Sequence, residues 1–273
     1  YRTELGIDGA TTAAGFDKQI SQTRDVLGMA ASLAISTPEE DGDILEFDVI
    51  VTNNTGHKLP AAYPSRRSWL HVTVRDGSDQ VIFESGKPDS DGYISTDEAR
   101  LKADCMSVVK YDGFDSSLCY EPHRDVITDE SQIAIYETVL GDANGNITHT
   151  LLYGSSYLKD NRIPPEGFTN SRADSIEAQT RPVGVDGDPD FNIANGQQGS
   201  GSDTVHYRIA LSATNGPYSV DARLLYQAVS PSFVDGIHSS GTRVSDFKQM
   251  YLQNPSVIET LASSSATVSA NTP

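Results

Sequence analysis

The alternation of apolar and polar residues changes period along the chain. Over residues 16–35, FDKQISQTRDVLGMAASLAI, the apolar positions Phe16, Ile20, Val26, Leu27, Ala30, Ala31 and Leu33 recur at spacings of three and four, with Pro38 just beyond. That spacing predicts a helix. From Ile44 the period becomes two. LEFDVIVTN, SWLHVTVRD and QVIFESG alternate, separated by Gly, Asp, Asn and Pro clusters, and alternation returns in QIAIYETVLGD, ITHTLLYGSSYL, TVHYRIALSA and SVDARLLYQAV. Seven or more short strands with turn signals between them predict a mainly β protein, a β-sandwich of immunoglobulin-like or jelly-roll-like form. A polar stretch from Pro164 to Ser202, rich in Gly, Asp, Asn and Gln, reads as a long loop within it. Further on, VSDFKQMYLQNPSVIETLASSSATV returns to a helical pattern with a break at Pro255, then dissolves into a Ser/Thr/Ala tail. The expected organisation is an N-terminal helical segment over 1–40, a β-sandwich over 41–235 and a C-terminal helical segment with its tail over 236–273.

Charge and composition narrow the function classes. With 273 residues the chain is long enough to bury a substantial core. No window approaches the roughly 18 apolar residues of a membrane-spanning helix. The net charge of −18, from 38 acids against 20 bases, repels the phosphate backbone of DNA or RNA and anionic lipid alike. Acidity of this degree suits a solvated surface and also the binding of divalent cations. The chain starts at Tyr1 with no Met and no charged, apolar leader, as expected of a mature or excised piece. Its two cysteines, Cys105 and Cys119, both lie in DCMSVVKYDGFDSSLCYEP. A bridge between them would close a loop of roughly 15 residues and contribute about 3 kcal/mol in the chain-entropy model. Such a bridge fits an oxidising compartment, and two free thiols are the alternative.

The stretch VTNNTGHKLPAAYPSRRSWLHVTVRD concentrates candidate chemistry. Asn53, Asn54 and Gly56 favour a turn, Pro60 and Pro64 fix φ, and the corner so stiffened presents His57 and Lys58. Arg66 and Arg67 open the next strand, where alternation sends one toward the core and the other toward solvent. A rigid corner of this kind can offer His57, Lys58 and one arginine to a carboxylate-bearing partner, since guanidinium holds carboxylates in bidentate fashion. A purely structural corner accounts for the same residues. In CYEPHRDVIT, Glu121, His123 and Asp125 alternate, which suits a metal or acid–base cluster as well as the wet face of a strand.

Three segments alternate oxygen donors around glycine: Asp89 and Asp91; Asp142, Asn144 and Asn146; and Asp186, Asp188 and Asp190. The last is the densest and suits calcium, although none carries the glutamate that completes an EF-hand loop, and an ordinary Asp/Asn/Gly turn looks the same. There is no GxSxG, HExxH, P-loop or GxGxxG to support an enzyme, and no CxxCH to attach a c-type haem covalently.

The segments ELGI, FDKQISQTRDVL, TGHKLPAAYPSRRSWLHVTVRD, VIFESG, EPHRDVIT, QIAIYETVLGD, YLKDNRIPPEGF, DPDFN, GSDTVHYRI and ARLLYQAV resemble, in order and spacing, the C-terminal non-haem region of a family of large secreted bacterial multihaem c-type cytochromes. TGHKLP with YPSRR, and LKDNRIPPEGF, are its specific motifs. The resemblance implies that residues 1–40 continue from an upstream haem-bearing region, that haem c belongs to that region or to a partner, and that the localisation is secreted: extracellular, cell surface or periplasmic. It implies a non-catalytic accessory domain for docking, assembly or surface attachment in extracellular electron transfer. The partner is then the haem-bearing region of the same precursor or another cytochrome, and a homo-oligomer is compatible with either. In that setting His57, Lys58, Arg66, Arg67 and His123 are expected to contact haem propionates or partner protein, a role preferred over axial ligation by a histidine. The alternative is a carbohydrate-binding or other substrate-binding sandwich that uses Trp69, Tyr63, Tyr93 and Tyr111 as platforms. A buried Trp69 would remove the best of these.

Overall fold

The computed structural model of the chain describes residues 13–94, 119–170, 181–211, 216–237 and 241–268. It begins with α1 (Ala13–Leu27), and the helix expected over 16–35 divides at Gly28. Gly28 donates its N–H to the Arg24 carbonyl, the chain turns, and ASLAI becomes strand β1 (Ala31–Ile35). β1 pairs antiparallel with β3 (Ile44–Asn53), from Ala31 opposite Asn53 to Ile35 opposite Val49. The reason is physical: five small and apolar residues satisfy either period, and the backbone of β3 offered a ladder that the helix could not. Helix α1 itself buries no side chain, and Phe16, Ile20 and Val26 face outward. It is held by Leu27 and by Arg24, whose guanidinium Nε lies 2.9 and 3.1 Å from the two carboxylate oxygens of Glu259.

Among the described residues, two large sheets face each other. One has five strands, in the order β1, β3, β11 (Ser202–Ala210) and β6 (Val126–Ile127), with β2 (Glu39–Asp41) also on β3. The other has six, in the order β13 (Ile258–Val268), β12 (Tyr218–Gln227), β4 (Arg67–Arg75), β7 (Ile135–Gly141) and β8 (Ser156–Asp160), with β5 (Val81–Ser85) also on β4. A single core lies between them. Leu45, Phe47, Val49 and Val51 of β3 and Val205, Tyr207 and Ile209 of β11 meet Leu70, Val72 and Val74 of β4 and Val220, Ala222 and Leu224 of β12. The period-two pattern therefore did its expected work, and the mainly β sandwich is the observed architecture.

Strand β4 departs from alternation: Arg67, Ser68, Trp69 and Leu70 are all buried. The chain after β5 folds back over its outer face. Trp69 donates its indole N–H to the Gly86 carbonyl at 2.8 Å, and packs with Ile94, Ile133, Ile135 and Leu225 in a second, smaller core.

Three expected elements come out differently. The C-terminal region contains α2 (Pro231–Asp235) and α3 (Thr242–Gln253), but SVIETLASSSATV is not helix and tail. Ile258–Val268 is strand β13, paired along its length with β12. Its Ser, Thr and Val residues suit a pleated surface, and β12 had an edge to cover. Of ITHTLLYGSSYL only the last three residues join a strand, the start of β8, after a 3-10 turn at Leu151–Tyr153. Within the long polar loop, β9 (Ile193–Ala194) and β10 (Gln197–Gln198) form a hairpin across Asn195 and Gly196, whose φ values of 52° and 73° are those an Asn-Gly turn supplies.

Candidate functional sites

Two charged centres of opposite balance are built at different places on this frame. The first forms where the two specific motifs meet. After β3, Asn53 turns inward: its amide nitrogen donates to the carbonyls of His57 at 2.6 Å and Ile163 at 2.9 Å, and its oxygen accepts the N–H and hydroxyl of Thr55. Leu59 and Ile163 then form an isolated antiparallel bridge, which joins TGHKLP to LKDNRIPPEGF. The Leu59–Pro60 peptide is cis.

Beneath this joint lies Asp160, fully buried at the end of β8. Lys58 Nζ reaches its Oδ2 at 2.7 Å, while Arg162 binds both oxygens, Nε to Oδ1 at 2.7 Å and Nη2 to Oδ2 at 2.9 Å. Burial holds the Lys58 ammonium below its ordinary pKa, the Asp160 charge works against that, and neighbouring Arg162 adds to it. Two cations thus share one carboxylate. They border an open cleft of about 590 Å³ lined with His57, Tyr157, Pro165 and Phe168. An excess of positive charge beside apolar walls suits an anionic group carried on a flat, apolar body.

The other residues expected here have different posts. Arg67 is enclosed: its Nε donates to Gln227 Oε1 at 3.1 Å, its Nη2 to the Gly92 carbonyl at 3.0 Å, and its guanidinium carbon stands 5.3 Å from the Trp69 ring centre. It presents no surface to a partner. Arg66 ties the corner to itself through the Ala61 carbonyl at 3.0 Å. Trp69 is 0% exposed, so the best aromatic platform of the sugar-binding alternative is absent; Tyr93 is bonded to Asp235 and Tyr111 lies outside the described residues.

The second centre gathers around the start of β11. Strand pairing sets His206 directly opposite Asp48 of β3, and His206 Nδ1 lies 2.6 Å from Asp48 Oδ1. On the other side β6 runs parallel, and the His206 N–H bonds the Asp125 carbonyl at 2.8 Å, which brings the Asp125 side chain alongside. The acidic loop then straddles β11. Asp190 accepts the Thr204 N–H at 3.2 Å and meets His206 Nε2 at 3.1 Å, with Asp125 Oδ1 3.7 Å from the same nitrogen. Both ring nitrogens of His206 face carboxylates, an arrangement that favours the doubly protonated ring. Burial would lower its pKa, but the bonds to Asp48 and Asp190 outweigh that and raise it. Asp125 and Asp190 are both held above the usual carboxylate range, first by burial and then by the charge of Asp188.

Asp188 goes to the inner side. Its Oδ1 accepts the N–H groups of Asp190 and Phe191, each at 2.9 Å, and its Oδ2 lies 2.7 Å from His123 Nε2. The tautomer of His123 is fixed by its other neighbour. Asn161 accepts the Glu137 N–H and donates to the Ile135 carbonyl, so its amide nitrogen is what faces His123 Nδ1 at 3.1 Å. Nδ1 accepts, and Nε2–H donates to Asp188. Beside them is Asp203, at an inward position of β11, where it accepts the Tyr136 hydroxyl at 2.6 Å. Burial and the charge of Asp188 raise Asp203 far above the usual carboxylate range.

Among the described residues, candidate metal-ligand atoms thus fall into two adjacent groups, His123–Asp188–Asp203 and Asp125–Asp190–His206, in each of which they lie within 4.8 Å of one another. Of the expected calcium trio, Asp188 and Asp190 enter different groups and Asp186 is exposed outside both. Asp89 and Asp142 each cap their own turns, accepting the N–H groups of Asp91 and Tyr93, and of Asn144 and Asn146. Glu121 does not join His123 and Asp125; its carboxylate takes Arg124 Nε at 2.8 Å. Cys119 is buried, and Cys105 lies outside the described residues. No local pattern in the sequence singles out Asp48, Asp160, Arg162 or His206, and Asp203 is marked only by its period. It shares the inward period of Val205, Tyr207 and Ile209, where a carboxylate needs a reason.

No family model matches the chain, and no curated protein matches it. A similar solved structure is that of a penta-haem cytochrome c552 from Thermochromatium tepidum, at 15% identity and a TM-score of 0.42, covering 90% of this chain and 41% of the cytochrome. The chain thus spans less than half of that protein's length.

Proposed function

We propose that this chain is a non-catalytic docking domain of a secreted multihaem cytochrome, and that the cleft beside Lys58 and Arg162 seats a haem carboxylate edge. The observation that carries the reading is convergence: TGHKLP and LKDNRIPPEGF, the two motifs most specific to the resemblance, are joined at Leu59 and Ile163 and line one cleft. Asp160 neutralises one of the two cations, which leaves the other's charge for a propionate. Pro165, Phe168 and Tyr157 supply apolar wall for the edge of a porphyrin, and exposed His57 borders the opening. Lys58 and Arg162 take the docking role that the sequence shared among His57, Lys58, Arg66, Arg67 and His123. His123 stays with Asp188, in the other centre.

The test uses a haem peptide with free propionates and the same peptide as its dimethyl ester. Amide and side-chain NMR shifts of the chain should move at residues 57–62 and 157–168 with the free acid, and about tenfold less with the ester. Lys58→Gln should weaken binding about tenfold, the loss of one charge-assisted hydrogen bond. Equal binding of the two peptides, or shifts confined to other surfaces, would reject the reading.

A further inference from the structure

We infer that Asp125, Asp190 and His206 form a binding site for a divalent first-row transition ion, with Asp48 orienting the histidine. The inference is independent of the docking cleft, and four observations carry it. The first is spacing. Ligand atoms each about 2.1 Å from a tetrahedral metal stand about 3.4 Å apart, and His206 Nε2 lies 3.1 Å from Asp190 Oδ2 and 3.7 Å from Asp125 Oδ1. The second is the outer partner. Asp48 sits 2.6 Å from His206 Nδ1, the position from which a carboxylate fixes the tautomer that leaves Nε2 free for metal.

The third is unspent donor capacity. Asp125 Oδ1 is buried with no hydrogen-bond partner, and the nitrogen it faces, His206 Nε2, stands 3.7 Å away. A buried carboxylate oxygen left without a donor is costly, and a cation is the ligand that satisfies it. The fourth is charge: three carboxylates face one imidazole, a surplus of negative charge that a divalent ion would offset. A proton on Nε2 leaves to solvent when the metal binds there, while Nδ1–H stays with Asp48.

The neighbouring group is a poorer candidate for the same ion. Metal on His123 Nε2 would require the ring proton on Nδ1, against the Asn161 NH₂ that points at it. Asn161 cannot turn over without losing its bonds to Glu137 and Ile135. The donor set also selects the metal. One imidazole with two carboxylates suits zinc, manganese or ferrous iron, whereas calcium requires six to eight oxygens.

The experiment is titration of the chain with Zn²⁺ by calorimetry in buffers of different ionisation enthalpy, with Co²⁺ as a spectroscopic probe. One ion should bind with micromolar or tighter affinity and release about one proton, and Co²⁺ should give visible d–d bands. His206→Gln and Asp190→Asn should each weaken binding at least 100-fold, and Asp48→Asn about 10- to 100-fold. Asp125→Asn is the variant safest for folding, because its Oδ1 has no hydrogen bond to lose; it too should weaken Zn²⁺ strongly. Asp186→Asn should change nothing. Binding that is absent at millimolar Zn²⁺, that survives in Asp125→Asn and His206→Gln, or that prefers Ca²⁺ and is lost in Asp186→Asn would each overturn the inference.

Discussion

The centre at Asp160 and the centre at His206 are mirror images in charge. At Asp160 one buried carboxylate is held by two cations, Lys58 and Arg162; at His206 one imidazole is held by three carboxylates, Asp48, Asp125 and Asp190. Both sit in a chain of net charge −18, so bulk charge says nothing about either. What differs is the sign left over once the buried pairs are matched. The first centre has positive charge to offer an anion, and the second has negative charge to offer a cation. The lesson is that ligand preference follows from local compensation, not from composition.

The most severe way to break the comparison is to remove the shared anion of the first centre. Asp160→Ala should destabilise the chain by about 3–5 kcal/mol, because it leaves two partly buried cations uncompensated. Urea unfolding measures it, and a loss below about 1 kcal/mol would mean that Lys58 and Arg162 find solvent instead.

Reduction of a Cys105–Cys119 bridge should come next, at about 3 kcal/mol for the roughly 15-residue loop. Native mass should rise by two hydrogens on reduction. Because the chain leads from Cys119 directly to His123 and Asp125, reduction should shift the His123 and His206 resonances more than those of residues 57–62. Two alkylatable thiols in the unreduced protein would remove the bridge from the account.

Asp203→Asn sharpens the second centre. The folded pKa of Asp203 is raised, so the folded chain holds a proton that the unfolded chain gives up near pH 3.9. Stability contributed by that proton is full below the unfolded value and falls as pH rises toward the folded one. The amide keeps a donor toward Asp188 and an acceptor for Tyr136, so the variant should be as stable as the parent at pH 4 and more stable at pH 7, by a margin that widens as pH rises toward the folded pKa. Denaturation at both pH values decides it, and an unchanged slope with pH would place the proton elsewhere.

The smallest effect is expected from Asp125→Asn without added metal. Easing repulsion among partly exposed carboxylates should stabilise the chain by about 0.5 kcal/mol, the opposite sign to the Asp160 variant. A clear destabilisation would show that Asp125 is a structural anchor rather than spare donor capacity.

Much of this protein is determined by its sequence alone. Period-two alternation marked β3, β4, β11 and β12, and with them the two sheets, because inward and outward positions differ in solvation whatever the partner strand is. The stiffness of the TGHKLP corner was equally plain, since Asn, Gly and Pro act through their own backbone preferences. Period failed where two structures satisfy it. ASLAI and IETLASSSATV became strands because β3 and β12 had edges to pair, which no local pattern records.

The sites depended on the tertiary structure more heavily still. Alternation predicted that one of Arg66 and Arg67 would turn inward, but only the chain folding back over β4 made Arg67 a buried partner of Gln227 and Gly92. Asp188 and Asp190 were visible as carboxylates, yet their separation onto two sides of β11 rests on contacts with His123, Thr204 and His206. Asp48 and His206 are 158 residues apart and meet only through antiparallel register. Register is set by the packing of Leu45, Phe47 and Val49 against the opposite sheet, and a slip of one residue would have sent Asp48 to the other face. Local chemistry writes the donors into the chain, and long-range packing decides which of them share a centre.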